Sequence, residues 1–282
     1  MFRRQKVLLY LILQLKGLEK KISKTYLDKL LFLLKKETNI DDFVKFYNFY
    51  PYNYGPFSNQ YYFDLSALQS QAYLDADLEL KKSAKEINSY LTIEKTQLID
   101  GIVGKYGGFT TERITDYVYE NYPAYAQKSI LKTQTRQTYA PGIFTIGYEK
   151  KDIDSFLDLL IQNHIEKVID VRANPFSMNF VFTKTKLMHY LEKVGIDYAH
   201  FPELGINGEH RKGLQTDSDF EELFDFYSKN ILPNQLNKIN TLIELGKTKR
   251  IALLCFEQNI AYCHRGVLGN VLESEGIAVT HL

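Results

Sequence analysis

Along the first part of the chain the hydrophobic positions keep a helical period. From Gln5 to Leu15, the apolar residues Val7, Leu8, Leu11, Ile12 and Leu15 fall on one face. Ser23 or Thr25 is placed to cap a second helix, in which Leu27, Leu30, Leu31 and Leu34 mark the inner face. The period then drops to two across the aromatics of Phe46 to Phe57. That predicts a strand with its turn at Asn53-Tyr54-Gly55-Pro56. Ser58 caps a third helix bearing Tyr61, Tyr62, Leu65 and Leu68, and further helix is expected from Thr92 to Tyr125. A polar stretch, Gln127 to Pro141, reads as a linker.

Beyond it the alphabet changes to short apolar runs alternating with amphipathic ones. Strands are expected at Ile143–Gly147, Lys167–Arg172, Tyr198–Phe201, Arg250–Cys255 and Ile277–His281. Between them, helix is expected at Asp152–Asn163, at Lys184–Val194, within Asp219–Ile239 and from His264 or Arg265 onward. This alternation predicts an α/β fold with an open, mostly parallel sheet, whose site lies beyond the strand carboxyl ends. The expected organisation is a helical module with a hairpin over residues 1–75, a helical extension and linker over 76–140, and an α/β domain over 141–282.

Composition narrows this picture. The chain has 282 residues, enough for two domains at about 150 residues each. Lys plus Arg is 35 against 34 for Asp plus Glu, so a chain dominated by non-specific attraction to phosphate is excluded while a local basic patch is not. Two cysteines cannot build a disulfide framework or a four-cysteine zinc site. The early apolar run Val7–Leu13 is too short to span a bilayer, which points to a soluble, cytoplasmic protein without membrane contact.

The strand ends collect the residues able to do chemistry. Cys263 precedes a helix beside Arg265, where dipole and cation favour a thiolate. Three readings stay open for it. It is a nucleophile with His264 or Glu257 moving protons; it is a metal ligand with Cys255, His264 and a carboxylate, although Cys-x7-Cys-His is not a standard zinc spacing; or it is packing. The spacing thus assigns no metal, and nothing names a cofactor. Arg172 and Arg265 form a candidate anion clamp. Asp170, on a buried strand, needs a partner such as Arg172. Glu203 is a further candidate carboxylate, and Tyr148 and Cys255 join the ligand-binding candidates by their place at strand ends. The glycine-punctuated loop Gly205–Gly213, with Arg211 and Lys212, could close over a ligand or touch a nucleic-acid backbone. Lys128, Lys132 and Arg136 in the linker could meet phosphate.

Two stretches resemble known families. Through Leu30-Leu31-Phe32-Leu33, Phe49 to Ser58 and Asp64-Leu65, the front of the chain resembles winged-helix modules of bacterial regulators and of the Panacea-type antitoxin group. That likeness implies duplex binding through Ser58, Asn59, Tyr61 and the helix they open. Through Thr145-Ile146-Gly147, Asp170-Val171-Arg172, Pro202-Glu203-Leu204-Gly205, Cys255-Phe256-Glu257 and Cys263-His264-Arg265, residues Phe144 to Leu282 resemble the domain of unknown function 488 family. Tyr148 and Phe256 depart from that pattern, which commonly has His and a small residue there. A weaker likeness to rhodanese-like domains lacks their loop between cysteine and helix.

The expectation is a nucleic-acid-associated protein, with duplex DNA as partner. Its α/β domain would act on or sense a phosphate-bearing or modified-nucleotide ligand, in a setting such as bacterial defence. Two rivals are a ligand-responsive regulator without catalysis and a protein-interaction module. Oligomeric assembly is left open.

Overall fold

A computed structural model describes residues 1–18, 22–131 and 138–282, and the chain divides into two compact units, Met1–Thr135 and Arg136–Leu282. Lys132 and Arg136 lie outside the described residues.

In the first unit, α1 (Arg3–Lys16) and α2 (Lys24–Glu37) are followed by a hairpin of β1 (Tyr50–Tyr52) and β2 (Gly55–Phe57), then by α3 (Asn59–Ser70). The expected signals act as written. Ser23 Oγ accepts the Tyr26 N–H at 3.1 Å and Ser58 Oγ accepts the Tyr61 N–H at 3.2 Å, each satisfying a donor that the helix leaves unpaired. Gly55 takes φ 94°, which the tight turn requires and an L side chain resists. Next come α4 (Ala84–Asn88), α5 (Ile93–Tyr106) and α6 (Thr111–Asn121). The α4 helix, five residues long, is too short to show a period in sequence.

The expected boundary near residue 75 is not where the structure divides. Ile99, Ile102, Ile114 and Val118 share one continuous core with Leu8, Leu11, Leu30 and Leu31. The apolar faces of α5 and α6 are thus buried against the same core as those of α1 and α2, so the extension and the module form one unit.

The second unit carries β3 (Gly142–Gly147), α7 (Ile153–Gln162), β4 (Lys167–Asp170), α8 (Lys184–Lys193), β5 (Asp197–His200), α9 (Asp217–Phe226), α10 (Leu236–Thr248), β6 (Arg250–Cys255), α11 (His264–Ser274) and β7 (Val279–His281). Its five strands pair in parallel in the order β5-β4-β6-β3-β7, the α/β class expected. The helical material expected within Asp219–Ile239 is present, divided between α9 and α10 by a π turn at Tyr227–Ile231 and a 3-10 turn at Leu232–Gln235. Pro233, which has no N–H to continue the ladder, lies in that break.

Strand parity sorts the side chains. Ile143, Ile169, Val171, Ile251 and Leu253 share a core with Leu223, Ile239, Leu242, Leu268 and Leu272 of α9, α10 and α11. Alternate positions, among them Ile146, Val168, Asp170 and Leu254, point to the other face, where right-handed crossovers put α7 and α8. The connection leaving β4 runs outward to β5, while the one leaving β6 runs the opposite way to β7. Their divergence opens a crevice at the carboxyl ends of β4 and β6.

Candidate functional site

Asp170 ends β4 with its side chain fully buried, a position that demands a cationic partner. Arg172 supplies it with a bidentate fork. Nε donates to Oδ1 at 2.8 Å and Nη2 to Oδ2 at 2.6 Å. Tyr198 donates to the same carboxylate at 2.7 Å. The remaining Arg172 nitrogen, Nη1, donates to Tyr148 Oη and to the Phe182 carbonyl, both at 3.0 Å. Desolvation works against the Arg172 charge, but Asp170 outweighs it and the guanidinium pKa is raised.

This corrects the expected anion clamp. Arg172 is 5% exposed and Arg265 1% exposed, and each guanidinium is turned to protein groups. Arg265 donates to Cys263 Sγ at 3.3 Å and to the Gln258 carbonyl at 3.2 Å. Two inward-held guanidiniums do not form an open fork for phosphate. Asp170, a candidate for chemistry that also needed a partner such as Arg172, holds Arg172 in place. Glu203 is exposed, pairs with Lys238 at 3.4 Å and lies outside the pocket walls.

On the neighbouring strand the parity of β6 turns Cys255 toward α11. Cys263 is the residue before that helix, and His264 opens it. The two sulfurs and one imidazole nitrogen lie within 4.8 Å of one another, all buried. Cys255 Sγ lies 3.7 Å from His264 Nδ1, and its thiol donates to Glu257 Oε2 at 3.0 Å. His264 Nε2 donates to the Val171 carbonyl at 3.1 Å; a carbonyl only accepts, so Nε2 carries a proton, and Nδ1 is the nitrogen that faces sulfur. Glu257 is held from outside by an ion pair with Arg211. Gly147 makes the arrangement possible, because a Cβ there would lie 1.8 Å from the Glu257 carbonyl oxygen.

The two thiols are shifted in opposite directions. Cys263, and His264 behind it, hold Cys255 below the usual thiol range against its burial. Burial first, then the charge on Cys255, push Cys263 up. Burial and Cys255 raise Glu257, with Arg211 pulling the other way. Burial depresses His264, but the neighbouring charges on Cys255 and Glu257 prevail and raise it. Cys263, the expected nucleophile, is fully buried and absent from the pocket walls, whereas Cys255 lines the pocket.

That pocket, about 520 Å³, lies at the crevice between the diverging loops. Cys255, His264 and Arg172 line it from within, and Tyr148 stacks on Phe182 at 4.3 Å beside them. Its mouth is apolar, with Phe176 65%, Met178 93% and Phe256 46% exposed. Ile206, Gly208 and Arg211 come from the loop expected to close over a ligand. A second cleft, about 390 Å³, shares Glu149, Arg211 and Phe256 with the first and adds Glu257. Two mouth residues were missed in sequence: Met178 has no pattern around it, and Lys150 takes φ 62°, a backbone feature that no local signal announces.

The expected nucleic-acid contacts are placed differently. Ser58, Asn59 and Tyr61 are buried, with Ser58 capping α3 and the Tyr61 hydroxyl donating to the Lys24 carbonyl at 3.1 Å. They begin the helix and fill its inner face, so they present no polar edge to a duplex. Lys128 is half-buried and its pKa is lowered by desolvation, which weakens it as a phosphate contact. Arg211 is committed to Glu257, while Lys212 is exposed.

Fold and site together define a parallel α/β domain with a cysteine–histidine–glutamate centre at its strand carboxyl ends. A family model described as Domain of unknown function DUF488 matches residues 152–272, which include β4, β6 and the Cys263-His264-Arg265 run but not β3, Tyr148 or the first unit. No curated protein and no solved structure matches the chain. Among the described residues, no helix is long and apolar enough to cross a membrane.

Proposed function

We propose that this chain is a nucleic-acid-associated enzyme whose α/β unit takes a nucleobase-bearing ligand, with chemistry at the Cys255–Cys263–His264–Glu257 cluster. The observation that carries the reading is the pocket itself, apolar and aromatic at the mouth and reactive at the floor. A flat ring buries its faces against Phe176, Met178 and Phe256, while exposed Lys150 at the rim suits a phosphate left outside. Glu257, whose raised pKa brings it nearer neutrality, serves as the proton carrier. The helix, helix, hairpin, helix order of the first unit supports a winged-helix role in holding the duplex. Exposed residues of α3, such as Phe63 and Ser66, replace the buried Ser58, Asn59 and Tyr61 as contacts.

Calorimetry of the full chain against nucleosides and mononucleotides tests the ligand. We expect saturable binding that weakens about 10-fold in Phe256→Ala, in line with the loss of one stacking contact. Absence of binding by every nucleoside and nucleotide sinks the reading. Duplex binding titrated with salt tests the association, with affinity expected to fall steeply as salt rises. No binding at low salt removes nucleic acid as partner and turns attention to a protein partner.

A further inference from the structure

We infer that Cys255, Cys263 and His264 form a three-ligand site for a zinc-type divalent ion, with its fourth position open to the pocket and Glu257 beside it. Convergence is the first argument. All three donor atoms lie within 4.8 Å of one another, and the one distance that geometry sets most directly, Cys255 Sγ to His264 Nδ1, is 3.7 Å. A tetrahedron with ordinary zinc–sulfur and zinc–nitrogen bonds separates those atoms by about 3.6 Å.

The orientation of the imidazole is the second. Its Nε2–H is spent on the Val171 carbonyl, so the ring is held with Nδ1, the nitrogen left to a metal, aimed at two sulfurs. A backbone carbonyl behind a ligating histidine is the usual outer support of a metal site. A histidine that merely filled the core would not need a ring nitrogen turned toward two sulfurs.

Arg265 is the third. Its guanidinium is buried, no carboxylate pairs with it among the described residues, and its Nε has no hydrogen-bond partner. Among the described residues, the sulfur of Cys263 is the one group of anionic potential that it touches. A buried cation set against a sulfur supplies the countercharge for a thiolate once metal is bound. On binding, each thiol gives up its proton. Two thiolates, a neutral imidazole and a divalent ion then make a centre with no net charge, which a buried position tolerates.

The open position follows from the walls. Cys255 and His264 face the pocket while Cys263 stands behind them. Glu257 is already engaged by Arg211, so it lies next to the centre as a proton acceptor for a water held there rather than as a fourth ligand. The site is carried by ordered elements, the end of β6 and the first turn of α11. The role of the fourth position rests on the proposed pocket chemistry; metal binding itself does not.

The test is titration of the chelator-treated full chain with Co²⁺, followed by displacement with Zn²⁺. We expect one ion per chain, with a thiolate-to-cobalt charge-transfer band and the intense visible absorption of a tetrahedral centre, both lost on adding zinc. Cys263→Ser should weaken zinc binding by more than about 100-fold, beyond what disturbing an outer support costs. Glu257→Gln, which alters a neighbour of Cys255 rather than a ligand, should weaken zinc binding by less than about 100-fold. Because a buried Cys→Ser change can impair folding, the wild-type thermal midpoint with and without zinc gives an independent readout, and it should rise with zinc. No charge-transfer band, or no zinc-dependent shift in the midpoint, overturns the site. Loss of zinc binding in Glu257→Gln overturns the open position. Calorimetry with nucleotides on the same preparations keeps the two readings apart: nucleotide binding without metal binding overturns only the metal site, and the converse only the ligand.

Discussion

Gly147 shows how closely the site depends on single atoms. The loop that carries Glu257 crosses β3 where a Cβ on Gly147 would sit 1.8 Å from a backbone carbonyl, and backbone cannot swing aside as a side chain does. Gly147→Ala should therefore destabilise the chain by at least about 2 kcal/mol in urea unfolding and displace Glu257. Gly104 on α5 is the control, since a Cβ there meets nothing within 4 Å. Gly104→Ala should be neutral or stabilising by up to about 1 kcal/mol. Equal effects from the two would show that close approach is not what constrains Gly147. At this scale the sequence identified the reactive residues but not their roles. Cys255, Cys263, His264 and Glu257 were all visible as unusual groups near strand ends. Which thiol faces the pocket, and that Arg172 and Arg265 are turned inward, depends on residues far away in the chain, such as Tyr148, Phe182 and Tyr198.

Elements were more legible, because caps and periods are local. Ser23 and Ser58 were read as caps from their place before an apolar period, and both accept the backbone N–H three residues on. The same buried hydroxyl that starts α3 was also expected to touch nucleic acid, and one atom position cannot serve both. Ser58→Ala should cost about 1–2 kcal/mol of stability through the lost cap, while duplex affinity in the folded fraction stays as in wild type. A selective loss of duplex binding with unchanged urea midpoint would contradict this placement. Where elements departed from expectation, the cause was length or a break in the ladder. Five-residue α4 gives too few positions for a period, and the helical material expected within Asp219–Ile239 is divided at the turns that contain Pro233.

Across the whole molecule, the phenol-rich composition becomes a pH property. Burial pushes Tyr26 from 10.0 to about 12; burial, with Glu37 nearby, does the same for Tyr122. Burial also raises Tyr47, Tyr61 and Tyr227. A group whose pKa is raised by folding contributes stability that is intact below its unfolded value and is lost as pH climbs through its folded one. Stability should thus hold up to about pH 10, the ordinary phenol value, and decline above it. Phenolate absorbance and far-UV circular dichroism should change together in that range; complete phenol ionisation with the fold intact would disprove it. Fold class was determined by sequence alone, since alternating short apolar runs and amphipathic helices have few ways to bury their faces other than a parallel sheet covered on both sides. Strand order was left to the tertiary structure. Placing β6 between β4 and β3 brings Cys255 beside the chain leaving Asp170, so that His264 can reach the Val171 carbonyl. The site is an accident of no single segment, because hydrophobic pattern encodes which residues are buried but not which buried residues become neighbours.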